Sequence, residues 1–159
     1  MWAEFSSTPS SRVSLMSEWE TKIPAIINEA KNENVTSFAG VPSWMLVLLH
    51  KVLEQSGKQN LFDIWPNLEV YFHGGVSFAP YHKQFSQLLA GSRAELREVY
   101  PASEGFIAIS DRGYGEGLRL NLDHGIFFEF VPAAEIFNDN PTRLQLKDVK
   151  VDRKSTRLN

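Results

Sequence analysis

No cysteine occurs among the 159 residues. Disulfides, thiol nucleophiles and thiolate metal sites are therefore excluded. Basic residues are neither abundant nor grouped. Sixteen Lys and Arg stand against 19 Asp and Glu, a formal net charge of -3. No basic stripe exists to neutralise a phosphate backbone, which argues against nucleic acid as a partner. Long apolar runs are also missing. The most apolar stretch, Trp44 to Leu49, is far too short to span a bilayer, so no membrane partner is expected. The N-terminus has neither the cationic flank nor the apolar centre of a signal peptide. A soluble cytoplasmic protein is the expectation. Glycine-rich phosphate loops are wanting too. Ser6-Ser7-Thr8-Pro9-Ser10-Ser11 holds no Gly and no following Lys, so its amides are not set to wrap a phosphate in the usual way. Gly113, Gly115 and Gly117 lie between expected hairpin strands rather than before a helix, which sets them apart from a dinucleotide fingerprint. There is no internal repeat and no long linker.

What is present suits one domain or a piece of a larger one, with enough chain for a real core. Leu15, Trp19, Ile23, Ile26, Ile27 and Ala30 recur every three or four residues and predict an amphipathic helix. Pro24 inside it is expected to kink or split it. Ser43 is a plausible N-cap for a helix from Trp44 to Gln55, apolar nearly all round and hence expected to be buried, with Gly57 ending it. Leu61 to Trp65 is amphipathic and stops at Pro66. Leu68 to His73 reads as a strand entering Gly74-Gly75, where a backbone can approach a ligand closely or simply turn. Pro80 opens a further helix and Gly91 closes it. Later come three strand candidates, Phe106 to Ser110, Leu118 to Leu122 and Ile126 to Val131, which predict an antiparallel meander. Pro132 to Phe137 suggests a helical turn. Leu144, Leu146, Val149 and Val151 suggest a last strand region. Helix-strand alternation up to residue 100 followed by the meander predicts an α/β fold with an antiparallel part.

The stretch around which the rest is organised is Tyr100-Pro101-Ala102-Ser103-Glu104-Gly105. It joins two expected strands, and Pro101 and Gly105 are expected to bracket the turn. Tyr100 offers a flat face for a base. Ser103 can donate to a phosphate oxygen, and Glu104 is a hard oxygen ligand for magnesium. Taken alone, the hexapeptide is more simply a plain strand-turn-strand carrying a solvated Glu, since short motifs match often by accident.

Three segments in order carry a family resemblance. They are Ser37-Phe38-Ala39-Gly40-Val41-Pro42-Ser43-Trp44, Glu69-Val70-Tyr71-Phe72-His73-Gly74-Gly75-Val76 and the hexapeptide. Together they resemble the adenylate-forming superfamily, and most closely its auxin-responsive branch, the Gretchen Hagen acyl-acid amido synthetases in their bacterial form. The run from Leu120 to Pro132 is similar to that family as well. The resemblance extends from about Phe5 to Val151.

It implies an α/β fold that is a central slice of the large N-terminal domain: 1–151 as part of that domain and 152–159 as a non-native tail. Members of the family are several times longer, so the remainder of a parent chain is an implied partner, and the slice alone is expected to be inactive. The implied activity consumes ATP with Mg2+: a small carboxylic acid is adenylated, then an amino acid takes the acyl group as an amide. By resemblance, Gly74, Gly75, Tyr100, Ser103 and Glu104 bind ATP. Glu104 also holds the metal and is the implied catalytic residue. His73, Val76, Val99 and Phe106 line the acyl-acid pocket. Pro101-Ala102 departs from the Ala-Ser usual in plant members. A related ligase that passes its acyl group to coenzyme A, and a non-catalytic nucleotide- or acid-binding module, are the alternatives.

Overall fold

A computed structural model describes residues 7–150. The sequence readings that fall on 1–6 and on 151–159, including Val151 and the tail, lie outside the described residues. The chain forms two compact units, the first running to Arg97 and the second starting at Glu98. Helices accompany both parallel and antiparallel strands, so the fold class is α/β.

The first unit opens with a single turn, α1 (Ser11–Ser14). Ser10 caps it and also ties it to the next helix: its amide and hydroxyl donate to the two Glu29 carboxylate oxygens at 2.6 and 2.9 Å. These two bonds hold the Glu29 carboxyl below its ordinary value, the backbone one most strongly. Helix α2 (Trp19–Ala30) starts one turn later than the spacing predicts, and Leu15 stays outside it, exposed. Pro24 neither splits nor ends α2. It deletes one amide donor, but Lys22 and Lys31 still donate to Glu18 and Ile27 at 2.9 Å on either side of it.

Strand β1 (Ser37–Ala39) leads into helix α3 (Pro42–Ser56), which leads to strand β2 (Val70–His73). β1 and β2 pair in parallel, Phe38 opposite Tyr71, and the helix supplies the long connection that a parallel pair needs. Ser43 is not the N-cap of α3. That position is Val41, with Pro42 as the first helical residue, where its missing N–H costs nothing and its ring pre-sets φ. Gly57 ends α3 at φ 67°, as expected. The helix is not buried all round. Pro42, Leu46, Leu49 and Val52 make one buried stripe, while Trp44 and Val47 face outward. Trp44 instead stacks on Trp19 of α2, centroids 5.1 Å apart.

Leu61 and Trp65 are buried as their pattern requires, with the Trp65 indole donating to the Ala30 carbonyl at 3.0 Å. Helix α4 (His82–Leu88) follows β2 and sends Phe85 and Leu88 inward. The core joins Ile27, Leu46, Leu49, Val52, Trp65, Tyr71, Phe78 and Phe85.

Strand β3 (Glu95–Ala102) begins in the last residues of the first unit, and from Glu98 on it joins β4 (Gly105–Ile109) and β5 (Arg119–Leu120) in the second, each antiparallel to the next. The meander is thus present over two of its three expected strands. The third, Ile126 to Val131, is no strand: it contributes a single bridge, Phe130 to Leu144. The last strand region is likewise replaced. Leu146–Asp148 is a 3-10 turn closed by a reciprocal Gln145–Asp148 capping box, which offers the local backbone partners that a ladder would have supplied.

Leu49 is 2% exposed and Trp44 59%. Leu49→Ala is expected to lower the unfolding free energy by about 3 kcal/mol, and Trp44→Ala by about 1 kcal/mol. Urea unfolding of the two variants checks the order. An equal or reversed effect would move Leu49 out of the core.

Candidate functional site

Two groups of expected site residues are contiguous in the chain, and each is described in its own unit. The first lies at the carboxyl ends of the parallel strands. In open α/β sheets this is where ligands bind.

β1 ends at Ala39 and runs on into Gly40-Val41, and β2 ends at His73 and runs on into Gly74-Gly75-Val76. The two ends are fastened together. The Gly40 amide donates to the Phe72 carbonyl at 3.0 Å, and the Tyr71 hydroxyl donates to the Gly40 carbonyl at 2.9 Å. Burial raises the Tyr71 phenol above its ordinary pKa, so it remains a donor. Gly75 is exposed with φ 81°, a backbone that side-chain-bearing residues rarely adopt. Gly74 is half-buried and Val76 exposed.

His73 is buried to 1% exposure, and neither ring nitrogen has a hydrogen-bond partner. Its ring stacks on Phe78 at 3.7 Å and tilts against Tyr71 at 5.4 Å. In this apolar box the charged imidazole is strongly disfavoured, and burial pushes its pKa down to about 4. Burying a polar ring without partners is costly. The ring's neighbours are instead aromatic, Phe78 stacked on it and Tyr71 tilted against it.

The second group occupies the β3–β4 hairpin. Pro101 does not bracket the turn. It lies within β3, and the pairing slips between Tyr100 and Pro101, leaving Ile107 as the extra residue of a bulge. The bulge accommodates a strand residue that has no N–H to give. The turn itself is Ser103-Glu104, both exposed, with Ala102 opposite Gly105. Tyr100 and Phe106 present exposed rings, and Val99 is half-buried. Gly105 has φ 143°, and a Cβ there would come within 3.3 Å of the Ile126 Cδ1.

Glu104 makes no hydrogen bond or ion pair with any described residue, so its oxygens remain open to a ligand. No group of three His, Cys, Asp or Glu able to hold a metal exists among the described residues. Glu104 is a single exposed carboxylate, a hard oxygen donor of the kind Mg2+ takes, and it does not by itself make a metal site.

A cavity of about 1020 Å3 lies elsewhere in the first unit, walled by Glu29, Asn34, Phe38, Met45, Trp65 and Phe72 among others. None of the expected site residues lines it. Among the described residues no helix is long and apolar enough to cross a membrane. Tyr71, Gly40 and Val41 were not singled out by sequence reasoning. A detectable signal was there: Tyr71 and His73 alternate onto one strand face, and a buried phenol needs an acceptor.

Residues 1–94 match the GH3 family N-terminal domain. The chain belongs to that family, the auxin-responsive acyl-acid amido synthetases that its motifs resemble. The match takes in His73, Gly74, Gly75 and Val76 and ends before Val99, Tyr100, Ser103, Glu104 and Phe106. Comparison with curated proteins and with solved structures gives no match.

The His73 environment has a consequence for pH. Its folded pKa, about 4, is below the ordinary 6.5. Above 6.5 the imidazole is neutral folded or unfolded and stability is unaffected. As pH falls from 6.5 towards 4 only the unfolded chain takes the proton, and stability drops by up to about 3 kcal/mol. Urea midpoints at pH 7.5 and 5.0 test this. His73→Phe is expected to lose much less stability between these pH values than the wild type. An identical loss in both proteins would assign the acid sensitivity to other groups.

Proposed function

We propose that this chain provides part of the substrate-binding domain of an ATP-dependent acyl-acid amido synthetase, with residues 1–151 belonging to one N-terminal domain and no turnover by the chain alone. Family membership carries the reading. The glycine pair at the carboxyl end of β2 supports it, as does a hairpin bearing an exposed ring, a hydroxyl and an unengaged carboxylate. In this reading a carboxylate oxygen of the acid attacks the α-phosphorus of ATP and pyrophosphate leaves. The nitrogen of an amino acid then attacks the acyl carbon, AMP leaves, and an amide remains.

Within the first unit, Gly74 and Gly75 leave backbone open to close approach by a nucleotide; within the second, Tyr100 offers a ring of the kind that stacks on a base, and Ser103 a hydroxyl that can donate to phosphate. Glu104 would hold Mg2+, whose charge offsets that of the phosphates. For the acid, the first unit offers the apolar side chain of Val76, and the second those of Val99 and Phe106. His73 supplies a neutral imidazole at the same strand end, and its burial means that the loop after β2 must yield before an acid could touch it. An assay offering amino acids and coenzyme A as competing acceptors separates amide from thioester formation.

Glu104→Ala in the enzyme that carries this chain is expected to cut acid-dependent pyrophosphate exchange at least tenfold at limiting magnesium. Activity within a fewfold of wild type would sink the assignment. Tyr100→Ala is expected to raise the KM for ATP about fivefold, the equivalent of about 1 kcal/mol of stacking. A larger change in the KM of the acid would place Tyr100 outside the nucleotide site.

A further inference from the structure

Hydrogen bonds tie the ends of β1 and β2 to one another. Gly40 is held through both its backbone groups, its N–H on Phe72 and its carbonyl on the Tyr71 hydroxyl. The next residue is held as well. The Val41 carbonyl accepts the Met45 amide at 3.0 Å, the first bond of the α3 ladder, and Pro42 fixes the backbone that follows. Yet the Val41 side chain is not core. It is 39% exposed, and its Cγ2 lies 3.8 Å from where a Cβ on Gly75 would stand. Val76, 42% exposed, follows directly. A valine whose backbone is hydrogen-bonded and whose side chain is half-exposed thus stands beside an exposed glycine at the carboxyl ends of two parallel strands.

We propose that Val41 is a contact residue of the nucleotide site, forming with Gly75 and Val76 an apolar rim for the flat face of the base. Tyr71 is its positioning residue, acting through the Gly40 carbonyl. The proposal rests on reading Gly74-Gly75 as the nucleotide edge. Within the first unit it adds the end of β1 to a reading that had assigned only the end of β2, and it names the part of the ligand concerned, since branched alkyl groups recognise a base rather than a phosphate. Tyr71 is buried and never meets the ligand. Its hydroxyl sets where the Val41 methyl groups stand.

The test is AMP binding to the full chain by equilibrium dialysis, with adenosine and inorganic pyrophosphate as separate arms and thermal unfolding of every variant as control. Val41→Trp, at an exposed position, is expected to weaken AMP and adenosine at least tenfold, with little change in Tm and none for pyrophosphate. Tyr71→Phe is expected to weaken AMP about threefold well below its Tm. Because both act through one wall, the double variant should bind no worse than Val41→Trp alone, whereas a merely structural role for Tyr71 would give additive losses. Gly75→Ala probes the underlying reading. If Gly75→Ala weakens AMP while Val41→Trp does not, the rim is wrong and the glycine site stands. If the wild-type chain binds no AMP at millimolar concentration, the glycine reading falls and the rim with it.

Discussion

One buried phenol organises the first unit. Tyr71 lies on β2 with its ring stacked between Phe38 of β1 and Phe85 of α4, at 4.7 and 4.5 Å. Its hydroxyl meets the Gly40 carbonyl at the other end of the same ring. A single side chain therefore binds strand to strand, strand to helix, and strand to the entry of α3. Large aromatics combine area burial with a polar handle, and here the two properties act at different places. The ring holds the layers together and the hydroxyl fixes the strand ends where a ligand would approach.

His73, two residues along the same strand face, presents the opposite case. Its ring is as well packed as that of Tyr71, but no acceptor or donor meets its nitrogens. Native cores rarely leave polar atoms in this condition. The cost falls at the last residue of β2, two positions before the exposed Gly75.

The second unit solves a different problem. Its hairpin must carry a proline within a strand, and it does so through a bulge at Tyr100-Pro101. The bulge lets β3 continue to Ala102, so the turn narrows to Ser103-Glu104. As a result the hydroxyl and the carboxylate occupy the tip, where solvent and ligands reach them. A turn beginning at Pro101 would have spread the same residues over a wider loop.

Periodicity and turn chemistry were sufficient for much of this. The spacing from Trp19 to Ala30, the helix stop at Gly57, the strand into Gly74-Gly75 and the hairpin around Ser103-Glu104 all follow from local preferences that neighbours need not supply. The family motifs were legible for the same reason, since they are short and continuous. Tertiary packing decided the rest. Leu15 was periodic with α2, yet the helix began at Trp19, because a helix extends only where burial rewards it. Trp44 and Val47 looked like core, and α3 turned out to bury a single stripe, because only one of its sides meets the sheet. Ile126 to Val131 had strand composition and found one bridge, because a strand exists only where a partner edge is offered. The neutrality of His73 and the fastening of Gly40 by Tyr71 depend on residues up to 31 positions apart meeting in space, and no local pattern in a chain encodes that.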